Sequence, residues 1–63
     1  MKTNLPLNLI TTPQAAEALA QLVKRIGWSD ARALATGNDE THAMMDGIAA
    51  LQRALADAGY APR

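Results

Sequence analysis

The chain contains no cysteine, so no disulfide can cross-link it and no thiolate can hold a metal ion. It contains no run near the roughly 20 apolar residues that a membrane-spanning helix requires. The apolar segment near its N-terminus is shorter and more polar than the hydrophobic region of a signal peptide. We therefore expect a cytoplasmic protein that has no membrane partner.

Neither sign of charge predominates, because six lysines and arginines balance six aspartates and glutamates. Dedicated nucleic-acid binders usually carry a basic surplus, so a nucleic-acid partner is allowed by this composition but not favoured. The charge is unevenly spread: residues 1–32 have four basic and two acidic side chains, whereas residues 33–63 have two basic and four acidic ones. This weak dipole suits self-association or a charged partner.

Large aliphatic residues are also scarce, since Leu, Ile, Val and Phe together supply 12 of the 63 residues. Such a low share is typical of disordered chains, but those chains also carry a high net charge. The neutral charge and the periodic apolar residues instead predict one folded domain. A domain this small has a thin stability margin and often completes its core with a second copy, so we expect a homodimer.

Two helices are predicted in the first half of the chain. Thr12 is a good N-cap and Pro13 suits the first helical position, so the first helix begins there and Gly27 ends it. Ser29 is the predicted cap of a short second helix, which ends at Gly37.

The third and longest helix is predicted from about Asp39 to Ala58, with Asn38 or Asp39 as its cap and Gly59 after its end. One flank of it is unusually small and is expected to pack on the first helix rather than to form a dimer seam: Ala43, Gly47, Ala50 and Ala54. The helical period predicts these inward-facing residues: Ala15, Ala16, Leu19, Leu22, Val23 and Ile26 in the first helix, Ala31 or Ala35 and Leu34 in the second, and Met44, Ile48, Leu51, Leu55 and Ala58 in the third.

Residues 1–11 form a predicted extended arm or β-strand, because Leu5, Leu7 and Leu9 alternate with Pro6 and Asn8. Pro6 has no N–H to donate to a sheet, so a strand here would be an edge strand. No other segment has a strand pattern, and the arm therefore lies along the helices or pairs with a second copy. The predicted fold is mostly α: a small three-helix domain at residues 12–63, preceded by this arm.

The sequence offers no clear catalytic or cofactor site. His42 and Asp46 share a helix face, with Asp39 and Glu40 nearby, but metal sites usually need three or four ligands. We favour a solvated polar face for His42 and Asp46. There is no glycine-rich phosphate loop and no zinc-ligand spacing. The prediction is a protein that is not an enzyme and takes no cofactor or metal.

Trp28 is the most informative single residue, because indole side chains are enriched at binding hot spots. The candidate partner-binding residues are Trp28 and its basic neighbours Lys24, Arg25 and Arg32. Either arginine can stack on the indole or form a rim around it. The competing interpretation, which we favour, places Trp28 over the core between the first two helices. Both hold if one edge of the ring stays exposed.

An alternative function is a dimeric ribbon–helix–helix-like regulator that lays its paired N-terminal strands in the DNA major groove. In that arrangement Leu5, Leu7 and Leu9 would face a shared core, while Lys2, Asn4 and Asn8 would face the bases. The zero net charge, Pro6 and the long third helix argue against it.

The segment from Lys24 to Asp30 and the closing run from Ala54 to Arg63 resemble an uncharacterised family of short proteins from proteobacterial plasmids, phages and integrative elements. The resemblance spans the chain from about Thr12 onward. It implies no catalytic residues. It does imply a context in which tiny neutral proteins inhibit host defence, as anti-CRISPR proteins do, or act as accessory regulators. We therefore expect a helical protein-binding module that blocks or adapts a larger bacterial or phage machine.

Overall fold

A computed structural model describes residues 4–60, and this part of the chain forms three α-helices: α1 (Pro13–Arg25), α2 (Trp28–Leu34) and α3 (Asn38–Asp57). The predicted mostly helical fold is therefore confirmed. Residues 4–11 of the arm are neither helical nor part of a strand. The first three residues of the predicted arm and the last three of the predicted domain lie outside the described residues.

Helix α1 begins and ends as the sequence predicts. The hydroxyl of Thr12 accepts a hydrogen bond from the N–H of Ala15 at 3.1 Å, and Pro13 occupies the first helical position. The helix ends at Arg25, because Ile26 adopts an extended conformation just before Gly27.

Helix α2 begins one residue before Ser29, so the predicted Ser29 cap is wrong. Gly27 is the N-cap, and Trp28 is the first helical residue. The carboxylate of Asp30 accepts a hydrogen bond from the N–H of Gly27 at 2.9 Å. This bond closes the first turn from inside the helix and makes a capping serine unnecessary.

Helix α3 also begins earlier than predicted, since Gly37 is its N-cap and Asn38 is already helical. The prediction of Asn38 or Asp39 as the cap is therefore wrong. The carboxylate of Glu40 accepts a hydrogen bond from the N–H of Thr36 at 3.0 Å. A side chain of the first turn again reaches back to the preceding backbone.

The C-terminal end of α3 has the hydrogen bonds of a Schellman motif. The N–H of Gly59 donates to the carbonyl of Ala56 at 3.0 Å, and the N–H of Tyr60 donates to the carbonyl of Leu55 at 2.8 Å. Gly59 has a φ of +95°, which a residue with a Cβ rarely adopts. Tyr60 then folds back onto the apolar core.

We expect Gly59→Ala to lower the free energy of unfolding by about 1 kcal/mol or more, because alanine is strained at this positive φ. Gly37→Ser is the matched control, since Gly37 is extended and a Cβ there meets nothing within 4 Å. The serine N-cap should raise the free energy of unfolding by only about 0.3 kcal/mol. Thermal melts of the three proteins check this. Equal effects of both substitutions would show that the positive φ is not the cause.

Helix α3 is the centre of the fold, because it packs against both α1 and α2. Ala16, Ala20 and Val23 of α1 meet Leu55 of α3 in the buried cluster. Leu19, Ile48, Leu51 and Tyr60 pack around this cluster and are partly buried. On the other side, Ala31 of α2 is 1% exposed. The predicted inward positions of Ala16, Val23, Ala31 and Leu55 are confirmed.

Several residues predicted to face inward are exposed instead: Ala15, Leu22, Leu34 and Ala58. The reason in α1 is that the buried side chains follow positions 16, 20 and 23, a stripe that contains the unpredicted Ala20 and turns Leu22 outward. In α2, Ala31 carries the burial, and Leu34 lies at the very end of the helix. The small flank of α3 was predicted to pack on α1, but it is exposed. The side of α3 that faces α1 consists instead of Ile48, Leu51 and Leu55.

Two polar side chains of α3 stabilise the packing. Thr41 is fully buried, and its hydroxyl donates to the carbonyl of Gly37 at 2.9 Å. The side-chain amide of Gln52 donates to the carbonyl of Val23 at 2.9 Å. That carbonyl is one of those left without a helical partner in the last turn of α1, so Gln52 joins the two helices at this point.

Candidate partner-binding surface

Trp28 lies at the start of α2, and 42% of its surface is exposed. Its ring contacts the imidazole of His42 on α3 in an edge-to-face arrangement, with the centroids 4.8 Å apart and the planes at 63°. Aromatic pairs prefer this geometry, which contributes about 0.5–1.5 kcal/mol beyond the buried area. The indole is therefore both oriented and accessible.

This position corrects the interpretation of Trp28 as a cover over the core between α1 and α2. The indole instead contacts α3, because α2 packs against α3 and only the short turn at Ile26 and Gly27 joins it to α1. His42 is exposed, as the predicted polar face requires, but it also supports the tryptophan. No signal in the sequence could have identified this contact, since it depends on the angle between α2 and α3.

The three basic candidates, Lys24, Arg25 and Arg32, are all exposed. Lys24 and Arg25 end α1, and Arg32 lies in the last turn of α2. Within residues 4–60, the ring that packs on the indole is that of His42 and not either guanidinium. We refer to the set Lys24, Arg25, Trp28, Arg32 and His42 as the Trp28 patch.

A second surface feature is an open apolar groove of about 300 Å³ where α2 faces α3. We call it the α2–α3 groove. Its walls contain no charged side chain and consist of Ile26, Ala31, Leu34, Met44, Gly47, Ile48 and Leu51. Sequence reasoning placed most of these residues in the core and so missed the groove.

A larger depression, of about 630 Å³, lies between α1 and the C-terminal end of α3. Gln14, Glu17 and Gln21 line one side of it, and Gly59 and Tyr60 line the other. Glu17 is the one carboxylate in its wall, and no histidine, serine or lysine accompanies it. The only titratable side chains in the walls of the two depressions are Glu17 and Tyr60, and both line the larger one.

His42 and Asp46 line neither depression. Among residues 4–60, no three His, Asp or Glu side chains are close enough together to hold a metal ion. In the same range no helix is both long and apolar enough to cross a bilayer.

No curated protein and no solved structure matches the chain at a significant level. One family model does match, and it covers residues 1–63. The expected relationship to an uncharacterised family is thereby confirmed, while the mobile-element context stays a prediction. The chain belongs to a family of unknown function, DUF7706.

Proposed function

We propose that the protein is a non-enzymatic, cytoplasmic protein-binding module that acts as a homodimer and binds a larger protein through the Trp28 patch. The observation that carries this proposal is the half-exposed indole of Trp28, oriented by its edge-to-face contact with His42. Large aromatic side chains in fixed positions are the usual anchors of protein interfaces.

A supported tryptophan is well suited to binding for an energetic reason. Association must otherwise order each side chain at the interface, at a cost of about 0.5–1.5 kcal/mol for a flexible one. The contact with His42 reduces that cost for Trp28 before any partner arrives. The cations Lys24, Arg25 and Arg32 are exposed and lie within four residues of Trp28 in the sequence, which favours a partner with an acidic surface around an apolar pocket.

Because the chain resembles short proteins of plasmids, phages and integrative elements, the partner we propose is a bacterial or phage protein complex. Inhibition of host defence in the manner of an anti-CRISPR protein is the specific role we propose. This assignment depends on the resemblance and not on any residue of the patch.

The proposal predicts that the tagged protein, purified from its source cells, retains a stoichiometric protein partner. Trp28→Ala should weaken binding to that partner by about 30-fold or more. His42→Ala should weaken it several-fold, because the indole loses the contact that orients it. The matched control is Leu22→Ala, which truncates a side chain that is 56% exposed on α1 and outside the patch. The control should bind as the wild type does.

Two results would contradict the proposal. One is that no partner is retained and Trp28→Ala changes only the thermal stability. The other is a salt-dependent gel shift on the protein's own promoter DNA at physiological salt, which would support the ribbon–helix–helix-like regulator instead.

A further inference from the structure

We propose that the α2–α3 groove is the docking site for the N-terminal arm of a second copy, so that two chains exchange residues 5–10 reciprocally. The inference deepens the proposed function and rests on its homodimer. It names the segment and the groove that join the two chains.

The arm is an apolar segment without cover. Leu5, Leu7, Leu9 and Ile10 are 77%, 83%, 60% and 96% exposed. Contiguous exposed apolar side chains of this kind mark an interaction surface, whereas single ones do not. No charged residue occurs between Asn4 and Thr12, so the leucine face of the arm can leave water without burying a charge, while its backbone stays on the solvent side.

The groove has the matching chemistry. Its walls are aliphatic side chains, methionine and glycine, with no charged group that an apolar segment would leave unpaired. Gly47 leaves open space above the backbone of α3, because a Cβ built there meets nothing within 4 Å. An extended segment with leucines on one face fits such a trough through those leucines.

The chain's own arm is too short to fill its own groove. The arm joins α1 at Thr12, whereas Ile26, which lines the groove, follows the opposite end of this helix. At 1.5 Å per residue, α1 separates these points by about 20 Å. Fully extended, the arm carries Leu9 about 10 Å, Leu7 about 17 Å and Leu5 about 24 Å from Thr12, so at most one of the three leucines can reach Ile26 of its own chain. A second copy can place the same leucines in the groove without this limit.

Reciprocal exchange closes the assembly at two chains, because each copy offers one arm and one groove. Trp28 does not line the groove, so the dimer leaves the indole available to the protein partner.

Disulfide trapping tests the exchange directly, since the chain has no cysteine of its own. Leu7→Cys and Gly47→Cys are made in separate chains, mixed in equal amounts and oxidised with oxidised glutathione. We expect a covalent heterodimer on a non-reducing gel. The matched control replaces Gly47→Cys by Ala49→Cys, which is also exposed on α3 but points about 150° away from the groove. The control mixture should form at least 10-fold less heterodimer.

The other pairings give results that overturn the inference. Efficient cross-linking of Leu7→Cys chains with each other would show arm-to-arm pairing, as in a DNA-binding ribbon. Cross-linking of Gly47→Cys chains with each other would show groove-to-groove contact. In either case the exchange is wrong while the homodimer stands. An intramolecular disulfide in the doubly substituted chain, within a monomer, would overturn both.

The molar mass in solution provides a second test. The wild type should have about twice the chain mass of 6.7 kDa, and Leu7→Asp should return it to the single-chain value with its helical circular dichroism retained. Asn8→Asp adds the same charge on the opposite face of the arm, so this variant should stay dimeric. A wild-type monomer would refute the homodimer and the exchange together. A dimeric Leu7→Asp variant would refute the exchange alone.

Discussion

Thr41→Asp should leave the chain largely unfolded at neutral pH. Thr41 is the most completely buried side chain among residues 4–60, with 0% of its surface exposed. Aspartate has a similar volume, so the substitution mainly adds a charge to a site without water. Burying an unpaired carboxylate costs several kcal/mol even after relaxation, whereas a core of this size rarely supplies more than about 3–5 kcal/mol. The favourable dipole near the start of α3 recovers about 1 kcal/mol at most.

The pH dependence of this variant identifies the cause. Burial raises the pKa of the introduced carboxyl in the folded state above its unfolded value of about 3.9. Below that pH the group is protonated in both states, so the cost of burying its charge disappears. The destabilisation relative to the wild type therefore grows as the pH rises above about 4 and levels off at the folded pKa. Circular dichroism of both proteins from pH 3 to pH 7, compared at each pH, measures this difference as the loss of helix in the variant.

The control is Thr41→Val, which keeps the shape and removes only the hydroxyl. The carbonyl of Gly37 loses the hydroxyl as a donor but keeps the backbone N–H of Thr41 at 3.1 Å. No buried group is left without a partner, so we expect a loss of about 1 kcal/mol or less. If valine were as damaging as aspartate, the hydroxyl itself would be essential and the argument from charge burial would fail.

Thr41 also shows where sequence reasoning about the fold stops. Position 41 lies seven residues before Ile48 and therefore on the inward stripe of α3, so the helical period contained the signal. A polar side chain near a helix start is normally assigned to solvent, and the hydrogen bond to Gly37 that permits burial cannot be read from a pattern.

The helix-end signals predicted three helix ends correctly, whereas the predicted caps of α2 and α3 were wrong. Thr12, Pro13 and Gly59 predicted their helix ends because each acts through local backbone geometry. The inward faces depend on how closely helices approach. Small residues such as Ala20 and Ala31 carry this contact, so the sequence could not show that larger neighbours would face water. The exposure of the basic candidates was predictable from their charge. The support of Trp28 by His42 was not, because it depends on how α2 packs against α3.

Leu55→Ala should also unfold most of the protein, because Leu55 is 5% exposed and meets Ala16, Ala20 and Val23 at the centre of the core. Removing a buried leucine side chain costs about 2–5 kcal/mol, which is comparable to the whole stability expected of a domain this size. The alanines around Leu55 are too small to fill the space that is left. Urea unfolding followed by circular dichroism measures the loss, at concentrations where sedimentation shows a monomer.

Leu34→Ala is the matched control, since it is the same substitution at a side chain that is 74% exposed. In the monomer it should change the free energy of unfolding by about 0.5 kcal/mol or less. Its effect should instead be on dimerisation, because Leu34 lines the α2–α3 groove. A stability loss equal to that of Leu55→Ala would mean that Leu34 is buried within the single chain, so that the groove would not be open to an arm. Loss of the dimer without loss of monomer stability would separate the residue that folds the chain from the one that pairs it.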